Sequence, residues 1–90
     1  MVYVSVKQTL KDYKIWRPFF DNDAGRRKTG GATGVNKIYR DVEKPNDVTV
    51  VLEWDSRENA QKFIADPALR EIMEKARVVG MPSICIQTLA

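Results

Sequence analysis

Two stretches of this chain, VYVSVK at 2–7 and VTVVLEW at 48–54, place an apolar residue at every second position. A period of two is the period of a strand with one face buried. Val2, Val4 and Val6 share one face of the first stretch, and Val48, Val50, Leu52 and Trp54 share one face of the other. Elsewhere the apolar period lengthens to that of a helix. Tyr13, Trp16, Phe20, Ala24 and Arg27 fall on one face of the segment 11–30. Ala60, Phe63 and Ile64, then Leu69, Ile72, Met73 and Ala76, do the same after Trp54. Strands GVNKIYRDV (34–42) and SICIQTL (83–89) complete the pattern, with EKPND (43–47) as a hairpin turn rich in turn-forming residues.

The order is strand, helix, strand, strand, helix pair, strand. This βαββαβ sequence specifies an α+β, ferredoxin-like fold: a four-stranded antiparallel sheet with helices on one face. Residues 1–90 form a single domain. Pro18 is expected to kink the first helix, or to make it restart there, because it lacks an amide donor and crowds the carbonyl of Lys14. The run RRKTGGATG (26–34) has a phosphate loop's residue types in the wrong order. A P-loop runs from strand through glycines to a Lys-Thr that opens a helix. Here Lys28 and Thr29 precede the glycines, so Arg26, Arg27 and Lys28 complement a helix C-terminus and Gly30 or Gly31 caps it. In DSRE (55–58), Asp55 is expected to cap the next helix with Glu58 reaching back. Asp66 and Pro67 open the last helix as cap and first residue.

The sheet face away from the helices is expected to carry Tyr3, Ser5, Val51, Cys85 and Leu89. A face so apolar, in a chain that buries only roughly 60–65% of its unfolded surface, calls for a second copy of the sheet as cover. Fifteen cations against twelve anions leave a net charge of +3, interleaved with acids rather than gathered in a stripe. Nucleic acid is therefore not expected as a partner. No apolar run approaches the ~20 residues of a membrane helix, and the cationic residue follows the N-terminal apolar run rather than preceding it as in a signal peptide. The single Cys85 excludes an intramolecular disulfide. These features fit a cytoplasmic protein.

YKIW…FFD (13–21), VVLEWDSRENAQKF (50–63) and DPALREIMEKARVVGMP (66–82) resemble the antibiotic-biosynthesis-monooxygenase-like branch of the dimeric α+β barrels, over nearly the whole chain. The resemblance implies a homodimer with its two sheets face to face and a pocket in each subunit between sheet and helices. It also implies one of three activities: oxidation of polycyclic aromatics without metal or bound cofactor, haem degradation, or none known. The haem-degrading relatives use an Asn on the first strand and a Trp and a His on the later helices. Here the first strand has no Asn, Phe63 and Met73 stand at the Trp and His positions, and the chain has no histidine at all. Neither haem nor any other cofactor or metal is therefore expected. The cofactor-free oxygenases use Asn, Trp and Arg, and the chain carries those residue types.

Trp16, Phe20, Trp54 and Phe63 are the expected walls of a pocket for a small aromatic or quinone-like ligand; the alternative is that they are plain core. Arg40 and Asn36, on one face of their strand with Ile38, are the catalytic candidates. Arg40 suits a phenolate or carboxylate, or pairs across the sheet with Glu53. Arg27, on the Trp16–Phe20 face, is a second candidate for the same charge. Tyr39 and Cys85 read as packing residues, and DND (21–23) as solvent-facing surface. Two functions are thus carried forward: a monooxygenase-like enzyme, and a non-catalytic binding or assembly module on the same scaffold.

Overall fold

A computed structural model describes residues 1–90. The elements are β1 (Val2–Leu10), α1 (Tyr13–Asn22), α2 (Ala24–Gly30), β2 (Ala32–Arg40), β3 (Asp47–Trp54), α3 (Arg57–Ala65), α4 (Pro67–Lys75) and β4 (Val78–Gln87). All four strands form one antiparallel sheet in the order β2-β3-β1-β4, and the helices cover one face. This is the expected ferredoxin-like fold.

The alternation on the central strands builds the core. Val4 faces Leu52, Val6 faces Val50 and Gln8 faces Val48 across the β1–β3 ladder. Those residues, with Leu10 and Trp54, are buried on the helix side. Trp16 of α1, Ala60 and Phe63 of α3, Leu69 of α4 and Ala76 just beyond it close over them.

Several boundaries differ from the sequence reading, each for a local reason. The first helix neither restarts nor breaks at Pro18, which lies inside α1; it is interrupted at Asp23. There Arg26 grips the Asp23 carboxylate with two hydrogen bonds, Nε to Oδ1 at 2.8 Å and Nη2 to Oδ2 at 2.9 Å. Gly31 is the left-handed cap of α2, at φ 118°. The cap of α3 is Ser56, not Asp55: Ser56 Oγ accepts from the Asn59 amide at 3.2 Å. Asp55 Oδ1 instead accepts from the Asn59 side chain at 2.9 Å, and Glu58 reaches Lys62 at 3.3 Å rather than turning back. Asp66 caps α4 as expected, through the Ala68 amide.

β2 begins two residues earlier than read, because Gly34, at φ 93°, lies within a register shift between Ala32 and Asn36 and not before the strand. β4 begins at Val78, so the VVGM run belongs to the strand rather than to the end of the helix. Lys7 pairs with Ser83 and Thr9 with Val79. Between those pairs one residue of β1, Gln8, thus stands against three of β4, Gly80, Met81 and Pro82, and the surplus bulges at Gly80, whose φ is 71°.

The face away from the helices carries Tyr3, Ser5, Val51 and Cys85 as expected, whereas Leu89 lies past the end of β4 and is 82% exposed. The face is less apolar than the sequence reading held. Lys7, Thr9, Asp47, Thr49 and Glu53 share it by register. Tyr3 stands opposite Glu53 in the ladder, and that neighbouring carboxylate holds its phenol above the ordinary tyrosine value.

Candidate functional site

Between the helix layer and the sheet lies a partly open cavity of about 50 Å³. Its walls come from every layer: Val6, Gln8, Val50 and Leu52 from the sheet, Trp16, Phe19 and Phe20 from α1, Arg27 from α2, Phe63 from α3, and Leu69, Ile72 and Met73 from α4. The 3.6-residue spacing of α1 delivers Trp16 and Phe20 to the same face, where their rings stack at 5.0 Å.

Arg27 is the cation of this cavity. Its residue is only 6% exposed, and its guanidinium lies 4.0 Å from the centre of the Phe20 ring. Of its five N–H groups, one donates from Nη1 to the Phe20 carbonyl at 3.0 Å, and Asp23 stands 3.8 Å from the same nitrogen. Burial pushes the guanidinium below the usual arginine range; Asp23 opposes that shift and Arg26 adds to it. A cation held this way, over an aromatic face and nearly out of water, interacts far more strongly with a ligand charge than an exposed one would.

Asp23 corrects the reading of DND as solvent-facing surface. Its side chain is largely buried, lines the cavity, and holds Arg26 and Arg27 from one carboxylate. Arg26 carries the link onward to Asp66 at 2.9 Å, tying α2 to the cap of α4. Asp21 and Asn22 are exposed, as read.

Gln8 was not singled out in the sequence. It continues the face of Val4 and Val6 towards Leu10, and a polar residue on an apolar face is the signal that could have found it. It is 7% exposed, lines the cavity, and its Oε1 has no hydrogen-bond partner. It lies on β1 at the register shift between Lys7 and Thr9, opposite the Gly80 bulge.

Three of the four expected aromatic walls, Trp16, Phe20 and Phe63, meet here. Trp54 does not. It packs behind Phe63 at 4.7 Å, against Gly30, 1% exposed, with its indole Nε1 unpartnered. Arg40 and Asn36 are on the helix side of the sheet, but both are exposed and stand outside the cavity wall. Arg40 lies 4.0 Å over the Tyr13 ring and donates from Nε to the Pro45 carbonyl at 2.8 Å. It does not pair with Glu53, which is on the opposite face and accepts from Thr33 at 2.8 Å. Asn36 folds back onto the Gly34 carbonyl at 3.4 Å.

No family model matches this chain, and no curated protein matches it. Solved structures do. A Bordetella bronchiseptica protein assigned as an antibiotic biosynthesis monooxygenase superposes with a TM-score of 0.79 at 12% identity, covering 99% of this chain and 96% of that one. The fold is that of the antibiotic biosynthesis monooxygenases. SnoaB of Streptomyces nogalater, a cofactor-independent oxygenase, superposes with a TM-score of 0.74 at 13% identity, over 99% of this chain and 91% of its own. A conserved protein of Methanosarcina mazei Go1 shares 19% identity at a TM-score of 0.64, over 94% and 88%. The antibiotic-biosynthesis-monooxygenase fold accounts for the sheet order and for helices on one face only. No helix of the chain is long and apolar enough to cross a membrane.

Proposed function

We propose that this chain is a monooxygenase-like protein that binds a small aromatic or quinone-like ligand in the cavity beneath its helices and works as a homodimer. The observation that carries the reading is the cavity itself, where four aromatic side chains and a desolvated arginine meet between sheet and helices. The reaction that suits it is oxidation of an activated ring carbon without a bound cofactor. A methylene conjugated with a carbonyl through the ring gives up a proton and supplies electrons to dioxygen. One oxygen atom enters as a new carbonyl and the other leaves as water. The protein contributes a dry cavity and a cation near the developing enolate. The burial of Arg27 against the cavity supports giving it that role, rather than the exposed Arg40 and Asn36.

The cavity's size favours a second reading, a non-catalytic binding or assembly module. An apolar cavity of about 150 Å³ holds one benzene, so a ligand must displace part of the wall here. The half-buried Met73 is the most flexible group available to move. An NMR titration with 1-naphthol tests binding, and an oxygen electrode with anthrone tests turnover. Binding is expected to shift the Trp16 indole and Met73 methyl signals, and turnover to consume oxygen and form anthraquinone faster than buffer does. Shifts without oxygen uptake would favour the binding module. No shift at either residue would remove the aromatic site altogether.

A further inference from the structure

We infer that Gln8 is a specificity-determining residue, which makes the cavity select a ring bearing an O–H or N–H donor over a ring of similar size that has none. The inference rests on the aromatic-site reading above and names which ligands that site prefers. Gln8 lines the cavity, is 7% exposed, and has a carbonyl oxygen that no protein group satisfies. That atom is also closed to solvent. A buried acceptor left unmade is costly, and a ligand donor that reaches it recovers the cost on binding. A quinone presents acceptors only. Its carbonyl can take a hydrogen bond from Arg27, or from the Gln8 amide N–H, but it leaves Gln8 Oε1 unpaired. A hydroxyl can serve both, accepting from Arg27 and donating to Gln8. The site therefore tells the reduced, hydroxyl form of a ring from its oxidised, carbonyl form.

The local backbone supports a side chain held for this purpose. Gln8 sits where β1 loses register with β4, opposite the Gly80 bulge. Bulges re-aim side chains and recur beside functional sites. On the same strand face, Val4, Val6 and Leu10 are all apolar, so packing alone does not call for an amide there.

The test compares two single-ring probes, phenol and toluene, titrated by NMR into the wild type, Gln8→Leu and Gln8→Met. Both substitutions replace an unpartnered polar group with an apolar one of similar length, so both should fold. The preference for phenol over toluene is expected to fall ~10-fold in the two variants, with toluene binding unchanged or tighter. Using the change in ratio cancels the different hydration of the two probes. If both probes bind and the ratio is the same in all three proteins, Gln8 is not the selector, and the aromatic site stands without it. If neither probe binds the wild type, the aromatic site and the selectivity fall together. Unfolding of both variants would show that the oxygen is satisfied in the free protein, and would overturn the inference.

Discussion

At the scale of single residues, the site turns on groups whose surroundings decide their chemistry. Asp23 is the clearest case. It follows Asp21 and Asn22 in a polar run, where residue type alone does not mark it as buried. Arg26 and Arg27, three and four residues on, reach it through helical spacing, and the tertiary packing of Arg27 over Phe20 and of Arg26 onto Asp66 carries the group inward. Asp23→Ala would release the paired hydrogen bonds of Arg26 and leave Arg27 without a neighbouring carboxylate. A loss of about 2–3 kcal/mol is expected, read by urea denaturation, together with weaker ordering of the α1–α2 junction. Arg27 was legible because helical spacing puts it in line with Trp16 and Phe20. Arg40 misled because strand parity reports a face but not whether a cavity lies beneath it. Arg40 follows Ile38 towards the open end of β2, where Tyr13 and Pro45 hold it at the surface.

At the scale of elements, the two central strands could be read from alternation alone, because each buries one face along its whole length. β4 could be read only in its second half. Gly80 and Pro82 give its first half the composition of a loop, yet the strand passes through them by bulging. Helix ends divide in the same way. Gly31 announces the end of α2, and its environment fixes the choice: a Cβ there would stand 2.7 Å from both the Asn59 and the Asp55 side chains. Gly31→Ala should cost about 1–2 kcal/mol through left-handed strain alone, with further loss from the Asp55–Asn59 hydrogen bond. The end of α4 carries no such marker. Arg77 takes the left-handed conformation there, at φ 63°. Arg77→Gly should therefore stabilise the protein, by about 1 kcal/mol. Thermal melts of the two variants should move in opposite directions, and a shared direction would contradict this account of the caps.

At the scale of the whole molecule, the fold class followed from the order of the elements, whereas the cavity's size and its unpartnered Gln8 depended on how side chains from the sheet and the four helices meet. The proposed homodimer rests on the open sheet face, where Tyr3, Val51 and Cys85 surround Ser5 at the centre, with charged and hydroxyl groups, Lys37 among them, around these. Light scattering at micromolar concentration should give twice the 10.3 kDa chain mass. Val51→Lys, which puts a charge beside that centre, should return the protein to a monomer with its helix content intact. A wild-type mass of one chain would sink the dimer. The sheet's outer strands say what kind of assembly is open to it. β2 is interrupted at Gly34 and β4 at Gly80, so neither rim offers a long, regular row of free amides and carbonyls to a neighbour. Interrupted rims discourage strand-by-strand growth into fibres. The rims thus leave room for the proposed closed stack of two sheets while discouraging an endless ribbon.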